Sequence, residues 1–150
     1  MTGAVHATAI VVGTTGLLLV GPSGSGKSRL ALALISDARA HGQFSALVAD
    51  DRVFLARHGD VVVARRPASI AGLIEIRGSG IGKVQSIDKA VMHWAILPVR
   101  VEEAERLPPE DEIYEFGSDF GLPAIRLQHD LHAPFSVFQA LLAARSAIAR

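Results

Sequence analysis

Short apolar runs separated by turn-forming residues dominate the first half of the chain. Residues 5–12 and 17–20 are rich in β-branched and aliphatic side chains and flank the turn sequence GTTG, which predicts a hairpin. Further apolar runs predict strands at residues 46–49, 53–56, 61–64, 73–76, 94–101 and 123–127. The glycine-rich segment 77–83 predicts a mobile loop, and the acidic, proline-containing stretch 102–121 predicts an exposed loop.

Helical spacing occurs in two segments. Residues 27–40 contain no glycine or proline, their leucines and alanines recur at helical spacing, and Gly42 follows as a stop signal. Pro134 suits the first turn of a closing helix. This second helix is predicted to carry its large apolar side chains on one face, namely Phe135, Phe138, Leu141 and Leu142.

Composition narrows the class of protein. The 150 residues are 49% hydrophobic, which suits one globular domain with a sizeable core. Fifteen basic residues balance fifteen acidic ones, so charge gives no indication of nucleic-acid or membrane binding and is compatible with self-association. The chain has no cysteine, no apolar stretch of membrane-spanning length, and no basic region before its apolar start. We therefore predict a cytoplasmic protein that binds neither nucleic acid nor membrane.

The sequence GPSGSGKS lies between the second strand and the first helix and satisfies the phosphate-loop pattern G-x-x-x-x-G-K-[ST]. Its glycines let backbone N–H groups turn toward an anion, and the following helix points its positive dipole end to the same place. The lysine adds positive charge beside the β- and γ-phosphates, and the serine hydroxyl suits Mg²⁺. The predicted nucleotide-binding residues are Gly21, Pro22, Ser23, Gly24, Ser25, Gly26, Lys27 and Ser28.

The fold class predicted from these elements is α/β. We expect a single P-loop-containing domain with a mixed β-sheet, a phosphate loop between a strand and a helix, and a C-terminal helix.

Two adjacent carboxylates, Asp50 and Asp51, end the strand predicted at 46–49. P-loop proteins usually have an acidic residue at a nearby strand end that helps to hold Mg²⁺. Because successive side chains of an extended chain point to opposite faces, the two aspartates have different roles unless the strand has already turned. One would face the metal or the γ-phosphate, and the other would accept a proton from an incoming hydroxyl or hold an arginine. Alternatively, both simply end the strand and face water.

Taken together, the segments HATAIVV, LLLVGPSGSGKS, LVADDRV and LIEIRGSGIGKV resemble the catalytic domain of HPr kinase/phosphorylase over residues 5–84. Members of that family pair such a loop with a double aspartate, open the first strand with a histidine, and carry a signature close to E-I-R-G-x-G-I, here residues 75–81. The resemblance implies ATP-dependent phosphorylation of a serine on HPr, the small phosphocarrier of the bacterial sugar phosphotransferase system. Some members reverse this reaction by phosphorolysis with inorganic phosphate.

The resemblance also implies cofactors and partners. ATP and Mg²⁺ would be bound, with Lys27 and the loop amides on the phosphates and with Ser28 and Glu75 serving Mg²⁺. An HPr-like phosphocarrier would be the protein substrate, and a homo-oligomer is expected because the family's catalytic domains commonly form hexamers.

The catalytic residues carried over from the family are Asp50, Asp51, His6 and Arg77. Asp50 is the preferred acid/base group, with Asp51 beside it and His6 tuning the aspartate. Arg77 would stabilise charge or position the signature loop.

The chain departs from the family pattern at both ends. Longer members have an N-terminal regulatory domain, whereas this sequence begins almost at the catalytic strand, so we expect residues 1–150 to be a catalytic domain standing alone. The family's late segment carries arginines and an asparagine after a strand, whereas the corresponding segment IRLQHDLHAPFSV has no arginine after Arg126, which bears on the phosphorolysis reaction.

Two other functions stay open from the residues alone. A small-molecule kinase would usually need an arginine-rich lid, and no such cluster follows Arg77 in the sequence. A noncatalytic ATP-binding sensor would not need the intact pair of aspartates.

Overall fold

The computed structural model describes residues 2–69, 71–117 and 120–148. Within these ranges the strands are β1 Thr2–Val5, β2 Ala7–Val12, β3 Thr15–Val20, β4 Ser45–Ala49, β5 Val53–His58, β6 Val61–Arg65, β7 Leu73–Ile76, β8 Gly80–Lys83, β9 Lys89–Met92, β10 Trp94–Val99, β11 Ile113–Glu115 and β12 Gly121–Gln128. The helices are α1 Lys27–Ala40 and α2 Pro134–Ile148.

The central layer is a six-stranded mixed sheet in the order β11-β12-β10-β3-β2-β4. Strands β3, β10 and β12 run parallel to one another. Strand β2 is antiparallel to both β3 and β4, and β11 is antiparallel to β12. A four-stranded sheet, β1-β5-β6-β9, and the β7-β8 hairpin complete the strands. The prediction of an α/β fold with a mixed sheet is confirmed.

The central sheet is covered on both faces. Leu17 and Leu19 of β3 pack into a hydrophobic cluster shared with α1 and α2, whereas Leu18 and Val20 pack into a second cluster shared with the four-stranded sheet. Because alternate side chains of β3 are buried on opposite faces of the sheet, its sequence is one continuous apolar run. The phosphate-loop sequence therefore follows a strand that is fixed between two layers.

The two helices begin where the sequence predicts. In α2, Phe135 and Phe138 are buried and Leu142 packs against the same cluster, whereas Leu141 is 37% exposed. The helix packs along a narrow stripe through Phe138, and Leu141 lies to one side of that stripe. The carboxylate of Asp37 on α1 accepts the Ser136 backbone N–H at 3.0 Å, which caps α2 from its neighbour.

Several predicted loops contain strands. Residues 80–83 pair with β7 as β8, and β11 lies inside the predicted acidic loop. The single strand predicted at 5–12 is two strands, because the chain breaks at His6 and β1 joins the four-stranded sheet. Strand β9 was not predicted, because it begins with a lysine and contains only three apolar residues. These short, half-exposed strands are determined by their pairing partners and not by local sequence.

Candidate active site

Several predicted functional residues meet at one edge of the six-stranded sheet. Strand β3 leads into the loop at residues 21–28, and β4 ends just before Asp50 and Asp51. Because β2 is antiparallel to both strands, its start, next to His6, lies beside their carboxyl ends. These groups line a common cavity of about 620 Å³, together with Glu75 and Arg77. Ligands of open α/β sheets bind at this kind of strand end.

The loop between β3 and α1 depends on its glycines. Gly24 and Gly26 have φ of +83° and +94°, in the left-handed region that side-chain-bearing residues rarely adopt. Gly26 is the N-cap of α1 and provides no side-chain hydrogen bond to the helix. The first N–H groups of α1 are therefore available at the loop, at the positive end of the helix dipole.

Lys27 begins α1 and is 7% exposed. Its ammonium donates to the carbonyl oxygens of Gly21 at 2.7 Å and Pro22 at 3.0 Å, so the side chain folds back along the loop. Burial lowers the pKa of Lys27 from its usual value, while the nearby Asp51 and Asp50 carboxylates act in the opposite direction. The lysine thus places a positive charge beneath the loop, facing the aspartates.

Asp50 joins three elements through its carboxylate. One oxygen, Oδ1, accepts the hydroxyls of Thr8 on β2 at 2.8 Å and Ser28 on α1 at 2.7 Å. The other, Oδ2, accepts the backbone N–H of Glu75 on β7 at 3.0 Å. The carboxylate is therefore held in place beside the end of the phosphate loop.

Asp51 is in a different environment from its neighbour. The chain turns here, because Asp51 has a φ of +71°, and its side chain is 74% exposed. Its Oδ1 lies 2.9 Å from Nδ1 of His6, whose Nε2 lies 3.5 Å from the Ser23 hydroxyl oxygen. An aspartate tolerates this left-handed backbone better than most residues. The turn points an exposed carboxylate, oriented by a histidine, into the mouth of the cavity.

Glu75 and Arg77 line the same cavity from β7 and from the turn that follows it. A methyl group added to Gly24 would lie 3.7 Å from the Arg77 guanidinium, so this arginine is beside the phosphate loop. Of the predicted site residues, His6, Ser23, Gly24, Gly26, Lys27, Ser28, Asp50, Asp51, Glu75 and Arg77 all line the cavity. Gly21, Pro22 and Ser25 shape the loop from outside that lining.

A family comparison identifies the group of proteins with this arrangement. The family model described as "HPr Serine kinase C-terminal domain" matches residues 1–96. The chain belongs to this family. The match includes the phosphate loop, both aspartates and the β7-β8 hairpin.

Named relatives extend the family likeness beyond residue 96. The HPr kinase/phosphorylase of Burkholderia lata is 38% identical over 128 residues, covering 79% of this chain and 37% of that protein. The HPr kinase/phosphorylase of Burkholderia cenocepacia is 40% identical over 118 residues, covering 72% of this chain and 34% of that protein. The chain thus spans about a third of the length of the curated relatives that it matches.

A solved structure supports the likeness over the whole fold. The Hpr(Ser) kinase/phosphatase from Coxiella burnetii matches with a TM-score of 0.74 and 25% identity, and the match covers 97% of both chains. The mixed α/β fold, with several sheets and two helices among the described residues, is therefore similar to the fold of the Coxiella burnetii protein. No helix within the described ranges is both long and apolar enough to cross a bilayer.

The cavity also contains residues that were not among the predicted site residues. Arg29 follows the loop serine, Arg100 follows β10, and His129 follows β12. The sequence showed no arginine cluster after Arg77, yet the fold brings Arg29 and Arg100 to the same cavity from distant positions. The sequence did not single out Thr8, because it lies within a strand of otherwise apolar residues. In the structure Thr8 is fully buried and its hydroxyl donates to Asp50.

Proposed function

We propose that the chain is an ATP-dependent protein-serine kinase that phosphorylates an HPr-like phosphocarrier. One observation carries the proposal: the exposed Asp51 carboxylate and the phosphate loop line the same cavity. A phosphoryl group held by the loop would thus be within the same space as a group able to accept a proton. Family membership and the names of the relatives support HPr as the acceptor.

The donor set at the loop fits a magnesium–nucleotide complex. The Ser28 hydroxyl and the Asp50 carboxylate are in contact at 2.7 Å, and Glu75 lines the same cavity. Within the described ranges, no three histidine, aspartate or glutamate side chains converge on a point. Mg²⁺ characteristically uses one or two protein carboxylates, completing its shell with water and phosphate oxygens. We assign Ser28, Asp50 and Glu75 to this role, where a bound Mg²⁺ would neutralise phosphate charge.

The two aspartates have separate roles in this proposal. Asp50 already accepts three hydrogen bonds and anchors Ser28, so its oxygens serve the metal side of the site. Asp51 is exposed and is contacted by His6, which leaves a carboxylate oxygen accessible to an incoming group. We therefore favour Asp51 as the acid/base group, in place of the sequence-based preference for Asp50.

Transfer would proceed by in-line attack. Asp51 accepts the proton of the acceptor serine hydroxyl as the serine oxygen bonds to the terminal phosphorus, and the bond from phosphorus to the β-phosphate oxygen breaks. Lys27 and the loop amides stabilise charge on the phosphates. Arg77, beside Gly24, also stabilises charge on the phosphates. His6 orients Asp51, and in the reverse reaction Asp51 would return the proton to the serine oxygen.

The experiment uses purified chain with ATP, Mg²⁺ and HPr-like phosphocarriers, and maps phosphoserine by mass spectrometry. We expect one modified serine on a carrier protein, and phosphorolysis is tested by adding inorganic phosphate to that product. Changing Asp51→Asn should lower kcat by about 10²- to 10⁴-fold, the usual effect of removing a general base, with little change in nucleotide affinity. Changing Asp50→Asn should weaken binding of the magnesium–nucleotide complex as well.

A matched control is Asp60→Asn, an exposed aspartate in the β5-β6 turn that does not line the cavity. It should transfer phosphate at the wild-type rate. If Asp51→Asn also retains the wild-type rate, the role of Asp51 is refuted. If folded wild-type chain binds nucleotide but modifies no serine, the kinase proposal is wrong and the chain is better described as a nucleotide sensor. Cytoplasmic location and a homo-oligomer stay predictions.

A further inference from the structure

Parallel strands bring two further groups to the phosphate loop. Strands β3, β10 and β12 are parallel neighbours, so their carboxyl ends lie at one edge of the sheet. Strand β3 leads into the loop, Arg100 directly follows β10, and His129 directly follows β12. In the order β12-β10-β3-β2-β4, Asp50 and Asp51 lie on one side of the loop strand, and Arg100 and His129 lie on the other. The loop is therefore flanked by carboxylates on one side and by basic side chains on the opposite side.

His129 is packed directly against the loop. A methyl group added to Gly26 would lie 3.1 Å from the Cβ of His129 and 3.5 Å from its Nδ1. The backbone N–H of His129 donates to the Val99 carbonyl at 2.9 Å, next to Arg100. The histidine thus connects the turn of the loop to the end of β10. A side chain at position 26 would crowd His129, which adds a second reason for glycine there besides its φ of +94°.

Arg100 faces the cavity without a partner for its charge. Its guanidinium is exposed, and it makes no hydrogen bond or ion pair with any residue in the described ranges. Arg126, by contrast, is paired with Glu112 at 2.7 Å. A guanidinium that lines a phosphate-binding cavity and has no carboxylate partner is suited to bidentate contact with phosphate oxygens.

We propose that Arg100 binds the terminal phosphoryl group of the nucleotide and that His129 is a positioning residue that holds the end of β10 against the phosphate loop. This inference rests on the proposed function, which supplies the nucleotide. During transfer the phosphorus exchanges its bond to the β-phosphate oxygen for one to the serine oxygen, and the serine proton goes to Asp51. Arg100 remains protonated throughout and takes no part in proton transfer, since its guanidinium does not titrate near neutral pH.

The test compares two nucleotides that differ in the terminal phosphate. Binding of ADP and of the nonhydrolysable triphosphate AMPPNP, each with Mg²⁺, is measured by titration calorimetry on the full chain. We expect Arg100→Gln to weaken AMPPNP binding by about 10- to 100-fold, the loss typical of one charged hydrogen-bonding group. ADP binding should change by less than about twofold, because Arg100 would not contact the β-phosphate. Arg100→Lys should restore part of the discrimination, since it keeps the charge but loses the bidentate geometry.

His129 is tested through its coupling to Arg100. His129→Asn should lower the preference for AMPPNP over ADP in the wild-type background. It should have no further effect on that preference once Arg100→Gln is present, because the two residues act as one unit. The matched controls are Arg106→Gln and His132→Asn, exposed residues close in sequence that do not line the cavity. Both should bind the two nucleotides as the wild-type chain does.

The outcomes separate this inference from the proposed function. If the wild-type chain binds both nucleotides but Arg100→Gln leaves their ratio unchanged, or weakens both equally, the role of Arg100 is refuted and the nucleotide site stands. If a folded wild-type chain binds neither nucleotide, both proposals fail. Melting temperatures of all variants show whether each is folded, and the exposed position of Arg100 makes its substitution tolerable for the fold.

Discussion

The contrast between Asp50 and Asp51 predicts unequal effects of one substitution on stability. Each aspartate is changed to asparagine, which has nearly the same size and removes one charge. Asp50 accepts hydrogen bonds on both carboxylate oxygens, whereas Asp51 is 74% exposed and contacts His6. The same chemical change at adjacent positions therefore tests whether Asp50 anchors the site.

The magnitude follows from the three contacts of Asp50. An asparagine has one acceptor oxygen, so if it faces the hydroxyls of Thr8 and Ser28, its NH₂ group opposes the N–H of Glu75. In the flipped orientation the oxygen accepts from Glu75, and the hydroxyls must turn to accept from the NH₂ group. The first orientation loses one hydrogen bond to a charged group, and the second weakens two hydrogen bonds. In either orientation the free energy of unfolding falls by about 2 kcal/mol.

The assay is thermal unfolding followed by circular dichroism at neutral pH without nucleotide. For a chain of this length, about 2 kcal/mol corresponds to a decrease in Tm of about 4–8 °C. Asp51→Asn should change the free energy of unfolding by less than about 1 kcal/mol, because an exposed ion pair contributes little. Asparagine also tolerates the left-handed backbone at that position.

Equal melting temperatures for the two variants would refute this reasoning. So would a larger decrease for Asp51→Asn, which would mean that the His6 contact and not the Asp50 anchor holds this edge of the sheet. A Thr8→Val variant provides a check on the cause. It removes one donor to Asp50 at a fully buried position. Asp50→Asn should therefore cost less in that background than in the wild-type chain.

Two other predictions concern the scaffold. Gly16→Ala should prevent stable folding, because its new Cβ would overlap the Val91 carbonyl oxygen, whereas Gly3→Ala meets no atom within 4 Å and should leave Tm unchanged; soluble yield and Tm compare the two. Arg126 lowers the pKa of Glu112 chiefly through a hydrogen bond, so this pair stabilises the fold above the usual glutamate pKa and loses its effect as pH falls through the lowered value. Glu112→Gln should therefore show a smaller loss of Tm between about pH 5 and pH 3 than the wild-type chain; parallel acid titrations would disprove that role.

The sequence predicted the parts of the fold that depend on local pattern. Helix α1 begins at Lys27 and ends at Ala40, as its helical spacing and glycine flanks indicate. Strands β3 and β4 contain apolar runs that are long enough to indicate a strand even when the pairing partners are unknown. Strand β8 was missed because its glycine-rich sequence has no preference of its own, and pairing with β7 alone makes it a strand.

The candidate site divides in the same way. The phosphate-loop pattern is local in the sequence, because eight consecutive residues contain the glycines, the lysine and the serine that the chemistry needs. The doublet of aspartates was also evident. Which aspartate anchors the site depends on where the chain turns and on donors from Thr8 and Glu75, which lie far away in sequence.

The sequence alone determined that this chain carries the phosphate-loop pattern and two adjacent carboxylates, because both are short contiguous patterns. Only the tertiary structure assigned separate environments to Asp50 and Asp51 and brought Arg100 and His129 to the loop. The physical reason is strand order: residues that follow β10 and β12 reach the loop because those strands pair in parallel beside β3. That pairing depends on burial on both faces of the sheet. It joins strands that are far apart in the sequence, so no local pattern predicts it.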